Sequence, residues 1–286
     1  MNELVFVQIL NSISSAMIIM LGAIGLSIIF GLMGVINMAH GEFFMLGAYF
    51  TLMFQNFGFN LWVGIIAAPL LVGIVGLILE YFIIKRFYTR PLVTLPATWG
   101  ISIIIKQIVK LIFGVGNQNI INPMHGRFVI FGIEYPRSRV YLILITVAIL
   151  FFLFILFKRT VFGLKCRAIM QNREMAEALG INVIRVDHWT FALGSVLAGF
   201  AGAVMTPIIT INPLMGETFL AQSFLVVILG GVGNLFGIVG GAFAISILRF
   251  ALSYFIRLTT AQILVLVMAI IVIRFRPQGL FGRKSR

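Results

Sequence analysis

The sequence predicts an all-α, polytopic membrane protein with about eight transmembrane or half-spanning helices, including two broken hydrophobic hairpins. Three observations carry this. Hydrophobic residues fill 61% of the 286 positions and charged ones only 10%, a balance that water-soluble domains do not show. Apolar runs close to the roughly 20 residues that cross a bilayer recur along the chain. The basic residues behind the net charge of +13 gather between those runs.

The elements follow in order. The first run, 5–30, is too long for a signal-peptide core and lacks a basic leader and a small-residue cleavage site, so it is expected to stay as a helix. GLMGVINMAHGE (31–42) then interrupts the apolar pattern, and a shorter helix to about Phe54 completes the first broken hairpin. Full spans are expected at 61–84 and 92–113, separated by Lys85, Arg86 and Arg90. The stretch 114–139 is polar and turn-rich, with Asn117, Asn119, Asn122, Pro123, Gly126 and Pro136, and is expected as an extracytoplasmic loop. A span at 140–157 leads into 158–187, which carries Lys158, Arg159, Lys165, Arg167, Arg173 and Arg185. After a span at 189–209, the run 219–256 has to enter and return, with its break at LGGVGNLFG (229–237). The last span, 261–273, precedes Arg274, Arg276, Arg283, Lys284 and Arg286. The positive-inside rule puts all three basic clusters in the cytoplasm. They are juxtamembrane rather than gathered on a soluble domain, so the charge implies a lipid membrane as partner and no nucleic acid.

Two interrupted hairpins in corresponding halves suggest a duplicated transporter architecture with its site near the breaks. In the first break Asn37, His40 and Glu42 either satisfy freed backbone groups or meet a polar solute. The structural alternative has Asn37 capping the second helix and His40 and Glu42 in water at the cytoplasmic interface. In the second break Gly230, Gly231 and Gly233 point to close helix packing, and Asn234 is the pathway candidate or another cap. Glu80, Lys106, Lys110 and Arg249 either form a proton relay or do structural work: the lysines snorkel, and Arg249 pairs with an acid such as Glu80. Enzyme chemistry has little to build on. His40, His125 and His188 lack metal-site spacing, Cys166 is the single cysteine, and no phosphate-binding G-x-x-x-x-G-K-[ST] occurs.

The cytoplasmic segment CRAIMQNREMAEALGIN (166–182) places Met175, Ala178 and Leu179 at helical spacing, with Asn172, Arg173, Glu174 and Glu177 elsewhere and Gly180 where a helix would stop. It is expected as a short amphipathic helix outside the bilayer, lying on the membrane surface or docking a partner. The short apolar face and tethered ends favour docking.

EMAEALG (174–180) resembles the E-A-A-x-x-x-G coupling-helix motif of ABC importer permeases, with Met175 in the middle position. It lacks the I-x-L-P tail, as the branched-chain amino acid and urea branch does. GLMGVINMAHGEFFMLGAY (31–49), ATWGISIIIKQ (97–107), RAIMQNREMAEALGIN (167–182), SFLVVILGGVGNLFG (223–237) and RPQGLFG (276–282) extend the resemblance to nearly the whole chain. The forms VINMAHGE, TWGIS, MQNREMA and GGVGN look closest to the urea permease subunit. NPLMGETFLAQSF (212–224) departs from it, with Gln222 where an acid is expected.

The resemblance implies one permease domain, 1–286, in the bacterial cytoplasmic (inner) membrane, a transport subunit and not an enzyme. Its solute is expected to be urea, with a branched-chain amino acid as the alternative and a gradient-driven transporter or channel as the reading from another class. The partners implied are a second homologous permease, two cytoplasmic ATPases and an extracytoplasmic solute-binding protein. ATP and magnesium would sit on the ATPases, with no cofactor on this chain. Arg173, Glu174, Met175, Ala176, Ala178, Leu179 and Gly180 would form the ATPase-coupling helix of the 158–187 loop. A path for urea needs amides or hydroxyls among apolar walls, which Asn37, Thr98, Gln107, Ser223 and Asn234 supply, with Trp99 as a flat wall. Each also has a packing or backbone-bonding alternative.

Overall fold

Backbone inside hydrocarbon has to bond to itself, and the chain answers with helices nearly throughout. The computed structural model describes residues 2–88, 91–121, 123, 126–130, 132–275 and 279. The expectations placed on Arg90, Asn122, His125, Arg276, Arg283, Lys284, Arg286 and all of RPQGLFG except Gly279 lie outside the described residues. Among the described residues the helices are α1 (Asn2–Met33), α2 (His40–Asn56), α3 (Leu61–Phe82), α4 (Pro91–Phe113), α5 (Arg137–Arg159), α6 (Val161–Gln171), α7 (Arg173–Ala178), α8 (Val183–Met205), α9 (Met215–Gly230), α10 (Leu235–Phe255) and α11 (Leu258–Phe275). Six of them, α1, α3, α4, α5, α8 and α10, hold segments long and apolar enough to cross a membrane, and α9 and α11 hold shorter apolar segments. The class is the expected all-α polytopic one.

Helix starts differ from the apolar runs because hydropathy marks the bilayer while side-chain caps mark the helix. Asn60, Thr160, Asn172, Asn182 and Asn234 each accept a backbone N–H at the start of α3, α6, α7, α8 and α10. Thus α8 begins at Val183, in the polar sequence ahead of the apolar run at 189. The loop 114–139 also contains a hairpin, β1 (Arg127–Ile130) paired antiparallel with β2 (Ile133–Pro136). Four-residue strands are too short for their alternation to stand out among turn residues.

The centre of the bundle is α1, nearly enclosed, with α8 packed against α1, α2 and α3. Hydrophobicity does not separate helix–helix from helix–lipid contact in a membrane, so close backbone approach does. Gly194 of α8 faces Gly25, Gly199 faces Gly47, and Gly202 faces the Phe44 carbonyl. At the periphery α4 and α5 turn Ile104, Leu111, Phe151 and Phe152 outward. The two broken hairpins touch. The Gly233 N–H donates to Ser27 Oγ at 3.0 Å, and a Cβ on Gly31 would stand 3.0 Å from Gly233 Cα. Gly231 (φ 89°) and Gly233 (φ 75°) occupy the left-handed region that the turn between α9 and α10 requires.

Candidate functional site

The first break is deeper than a hairpin turn at the membrane surface. His40, the first residue of α2, donates from Nε2 to the Gly22 carbonyl at 2.9 Å. Helix α1 continues about three turns past Gly22, so residues 34–39 climb back roughly 16 Å at the helical rise before α2 begins. Non-helical backbone survives at that depth because the protein supplies partners. Asn37 Oδ1 accepts the Ala39 N–H at 3.0 Å, and Thr98 Oγ1 of α4 accepts the Met38 N–H at 3.0 Å while donating to Thr94 O at 2.8 Å. Asn37 therefore bonds within the climbing segment and does not cap α2, whose cap residue, Ala39, offers no side-chain bond. His40 and Glu42 are 2% and 1% exposed, not in interfacial water, because α2 starts inside the bundle.

Helix α9 starts beside it. A Cβ on Gly41 would collide with the Gly216 carbonyl, so the first turns of α2 and α9 lie backbone against backbone. That approach gathers a charged cluster. Ser102 of α4 donates to Glu42 Oε1 at 2.9 Å. One turn along, Lys106 Nζ stands 4.0 Å from Glu42 Oε1 and 2.5 Å from Glu217 Oε1 of α9. Glu42 Oε2, Asn37 Nδ2 and His40 Nδ1 are buried without a hydrogen-bond partner among the described residues. Sequence reasoning singled out Glu42, Lys106 and Lys110 separately but missed Glu217 and the meeting of the two acids at Lys106. Glu42 and Glu217 lie far from α4 along the chain and meet it at Ser102 and Lys106, while the Gly41–Gly216 contact holds α2 and α9 side by side.

The other pathway candidates are spread out. Ser223 is buried on α9 against α1, 2.9 Å from where a Cβ on Gly22 would be. Trp99 and Gln107 lie on the exposed face of α4, away from Thr98 and Ser102. Asn234 Oδ1 accepts the Gly237 N–H at 3.2 Å at the start of α10 and lines a cavity of about 420 Å³ with Ser27, Leu32, Arg167, Met170 and Phe236. Gly230 and Gly237 are in backbone contact there, the close packing the glycines imply. Only Asn37 and Thr98 come together. Arg249 does not pair with Glu80: it donates to Ser15 Oγ on α1. Arg249 sits toward the outward end of α10, and Glu80 at the inward end of α3 pairs with His188 and accepts from Tyr88.

At the cytoplasmic face, the loop folds as α6 and the single-turn-and-a-half helix α7. Asn172 Oδ1 caps α7 at Met175 N, 2.9 Å, and Gly180 (φ 82°) ends it. Ala176 is the side chain that packs inward, while Met175, Ala178 and Leu179 are exposed, Leu179 by 75%. Arg173 pairs with the fully buried carboxylate of Asp187 on α8, and the adjacent His188 holds Glu80 on α3. Side-chain contacts from two consecutive residues of α8 therefore tie it to α7 and to α3. Burial, with the hydrogen bond to Glu80, pushes the Tyr88 phenol well above its ordinary pKa, so it stays a donor. Burial pushes the Cys166 thiol up to about 11, which leaves it unreactive at neutral pH. Arg173→Ala is expected to lower stability by about 2 kcal/mol, less than for a fully buried pair because Arg173 is 36% exposed. A thermal melt of the purified permease measures this, and Arg173→Lys is expected to restore part of the loss.

The comparisons with known proteins bear on the whole chain. Residues 8–273 match the family described as branched-chain amino acid transport system / permease component. The chain is 28% identical to the high-affinity branched-chain amino acid transport system permease protein LivH of Escherichia coli K12, across 96% of this chain and 95% of that one. It is 26% identical to the corresponding protein BraD of Pseudomonas aeruginosa over the same shares. With LivM of Escherichia coli K12 the identity is 24%, across 92% of this chain and 68% of that one. No solved structure matches the chain.

Proposed function

Because the chain belongs to the family of branched-chain amino acid transport system permease components, we propose that it forms one half of the membrane pathway of an ATP-driven importer for a branched-chain aliphatic amino acid. It is a transport subunit, not an enzyme, and a multi-pass protein of the inner membrane. The urea expectation is set aside: LivH, BraD and LivM are named for branched-chain amino acids, and nothing in them supports urea. Likeness to both LivH and LivM supports a second, related permease as the other half.

The observation that carries the ATP-driven reading is α7. A helix of six residues that turns Met175 and Leu179 to solvent, while Arg173 ties it to Asp187, is built to be gripped from outside and to pass the force on. Two cytoplasmic ATPases, carrying ATP and magnesium, would grip Glu174, Met175, Ala178, Leu179 and Gly180, with Arg173 and Ala176 anchoring the helix. An extracytoplasmic binding protein would deliver the solute. Asn37, Thr98 and Asn234 hold the two breaks around which such a pathway would open, Ser223 packs α9 against α1 between them, and Trp99 and Gln107 offer the free face of α4 to it.

The test is uptake of labelled leucine and labelled urea into proteoliposomes holding the complex of both permeases and the ATPases, supplied with the binding protein. ATP-dependent leucine uptake without urea uptake is expected. Urea uptake alone would return the substrate to urea, and leucine flux driven by a gradient without ATP would replace the importer with a secondary transporter.

A further inference from the structure

The charged cluster between α2, α4 and α9 is more than the breaks need. An ionised side chain within the bilayer costs about 2.5–3.5 kcal/mol on insertion scales, yet three helices bring ionisable groups to one place here. Glu42 and Glu217 share the Lys106 ammonium. Lys110 lies one turn farther along α4, half-buried, and among the described residues no carboxylate stands within 4.0 Å of its ammonium. Glu42 Oε2 is buried, 1% of its residue exposed, and has no hydrogen-bond partner among the described residues. The arrangement therefore brings two carboxyl groups and two amines together without pairing all of them.

Its position is that of a mouth rather than a core. With the basic segments in the cytoplasm, α4 runs outward, and Lys106 and Lys110 lie in its last two turns. The side chain of Glu217 is 60% exposed, so the pair opens to the outside of this bundle, while Ser102 holds Glu42 at its buried end. Backbone contact between Gly41 and Gly216 fixes the two acids on adjacent first turns, so their placement does not depend on long side chains.

We propose that Glu42, Lys106, Lys110 and Glu217 form the site that takes the two charged ends of a zwitterionic α-amino acid as it enters the permease, an inference that rests on the amino acid reading above. The substrate ammonium replaces Lys106 at Glu217, and the substrate carboxylate is held by the released Lys106 and by Lys110. A zwitterion brings one charge of each sign, so the exchange leaves the net charge of the cluster unchanged. A molecule carrying only one of the charges leaves either Lys106 or Glu217 without its counter-charge.

The experiment measures equilibrium binding of labelled leucine to the complete permease–ATPase complex in nanodiscs without binding protein, with leucine, 3-methylbutylamine or 4-methylpentanoate as competitor. For the wild type, leucine is expected to compete and neither single-charge analogue to do so. Glu217→Gln is expected to weaken leucine by about tenfold and to erase its advantage over 4-methylpentanoate, and Lys110→Gln to erase its advantage over the amine. A purely structural ion pair would lower the yield of complex without changing which analogue competes. Leucine affinities within about twofold of wild type in both variants overturn the site. So does a wild-type complex that imports leucine with its binding protein but binds none by itself at millimolar concentration. A complex that does neither overturns the amino acid reading, and the site with it, so the uptake arm separates the two failures.

Discussion

Gly47→Leu is expected to stop the bundle from closing and to remove most of the protein from the membrane. A single Cβ at that position would already fall far inside 3.0 Å of the Gly199 carbonyl, carbon and Cα, a distance real Cβ atoms do not reach. Those are backbone atoms of a helix, so no side chain can swing aside. Nor can α8 retreat, because a Cβ on Gly199 would meet Val72 and Pro69 of α3 at 2.9 to 3.1 Å; Gly202, against the Phe44 carbonyl one turn on, extends the same seam with α2. Ordinary overpacking costs about 1–3 kcal/mol; forcing two helices apart along this seam also forfeits the van der Waals contact that holds them in lipid. The yield of monodisperse protein in size-exclusion chromatography after detergent extraction is expected to fall to about a tenth, a loss of well over 1 kcal/mol. Gly100→Leu is the control. Nothing lies within 4 Å of a Cβ there, on the free face of α4, and the yield is expected to match the wild type.

The glycines also mark where sequence reasoning could reach and where it could not. Hydropathy locates helices well because the bilayer imposes one length and one polarity, and so α3, α4, α5 and the two broken hairpins are legible in the residues alone. Gly230, Gly231 and Gly233 read as a packing cluster within the break, and the structure divides them: Gly230 packs on Gly237, while Gly231 and Gly233 take the positive φ of the turn. The depth of α2 is not local. It depends on His40 reaching Gly22 and on Gly41 meeting Gly216, contacts between separate elements that leave no period or composition in the chain. Misplacing that depth puts His40 and Glu42 in interfacial water and hides the acids that face Lys106. Pairing Arg249 with Glu80 fails for a similar reason: opposite charges inside a membrane invite pairing, but the two residues sit toward opposite ends of their helices, and nearer partners, Ser15 for one and His188 for the other, were available. The caps at Asn172, Asn182 and Asn234 are local, and Asn234 shows why a cap does not exclude a cavity wall: its Oδ1 serves α10 while its side chain faces open space beside Arg167.

The double variant Met175→Asp, Leu179→Asp is expected to abolish ATP-driven uptake while leaving the permease folded. Both side chains are exposed, so their replacement removes little packing inside this chain; Ala176, Arg173 and the Asn172 cap continue to hold α7 on the membrane helices. What is lost is an apolar knob, and two carboxylates are set where a partner's apolar pocket would close. Anchors of this kind carry about 2 kcal/mol or more each, and burying an unpaired charge costs further, so binding of the ATPases is expected to weaken by well over a hundredfold. Copurification of the ATPases with a tagged permease reads the docking, ATP-dependent leucine uptake reads the coupling, and the elution profile of the permease reads the fold. Arg173→Ala separates grip from transmission: it leaves Met175 and Leu179 in place but cuts the tie to Asp187, so the ATPases are expected to copurify while uptake falls. Loss of uptake in both variants, with docking lost only in the first, is the signature of a helix gripped on one side and anchored on the other. Normal uptake by the double variant would mean that α7 is not where the ATPases act, and the Arg173–Asp187 and His188–Glu80 contacts would then serve only to hold α7, α8 and α3 together.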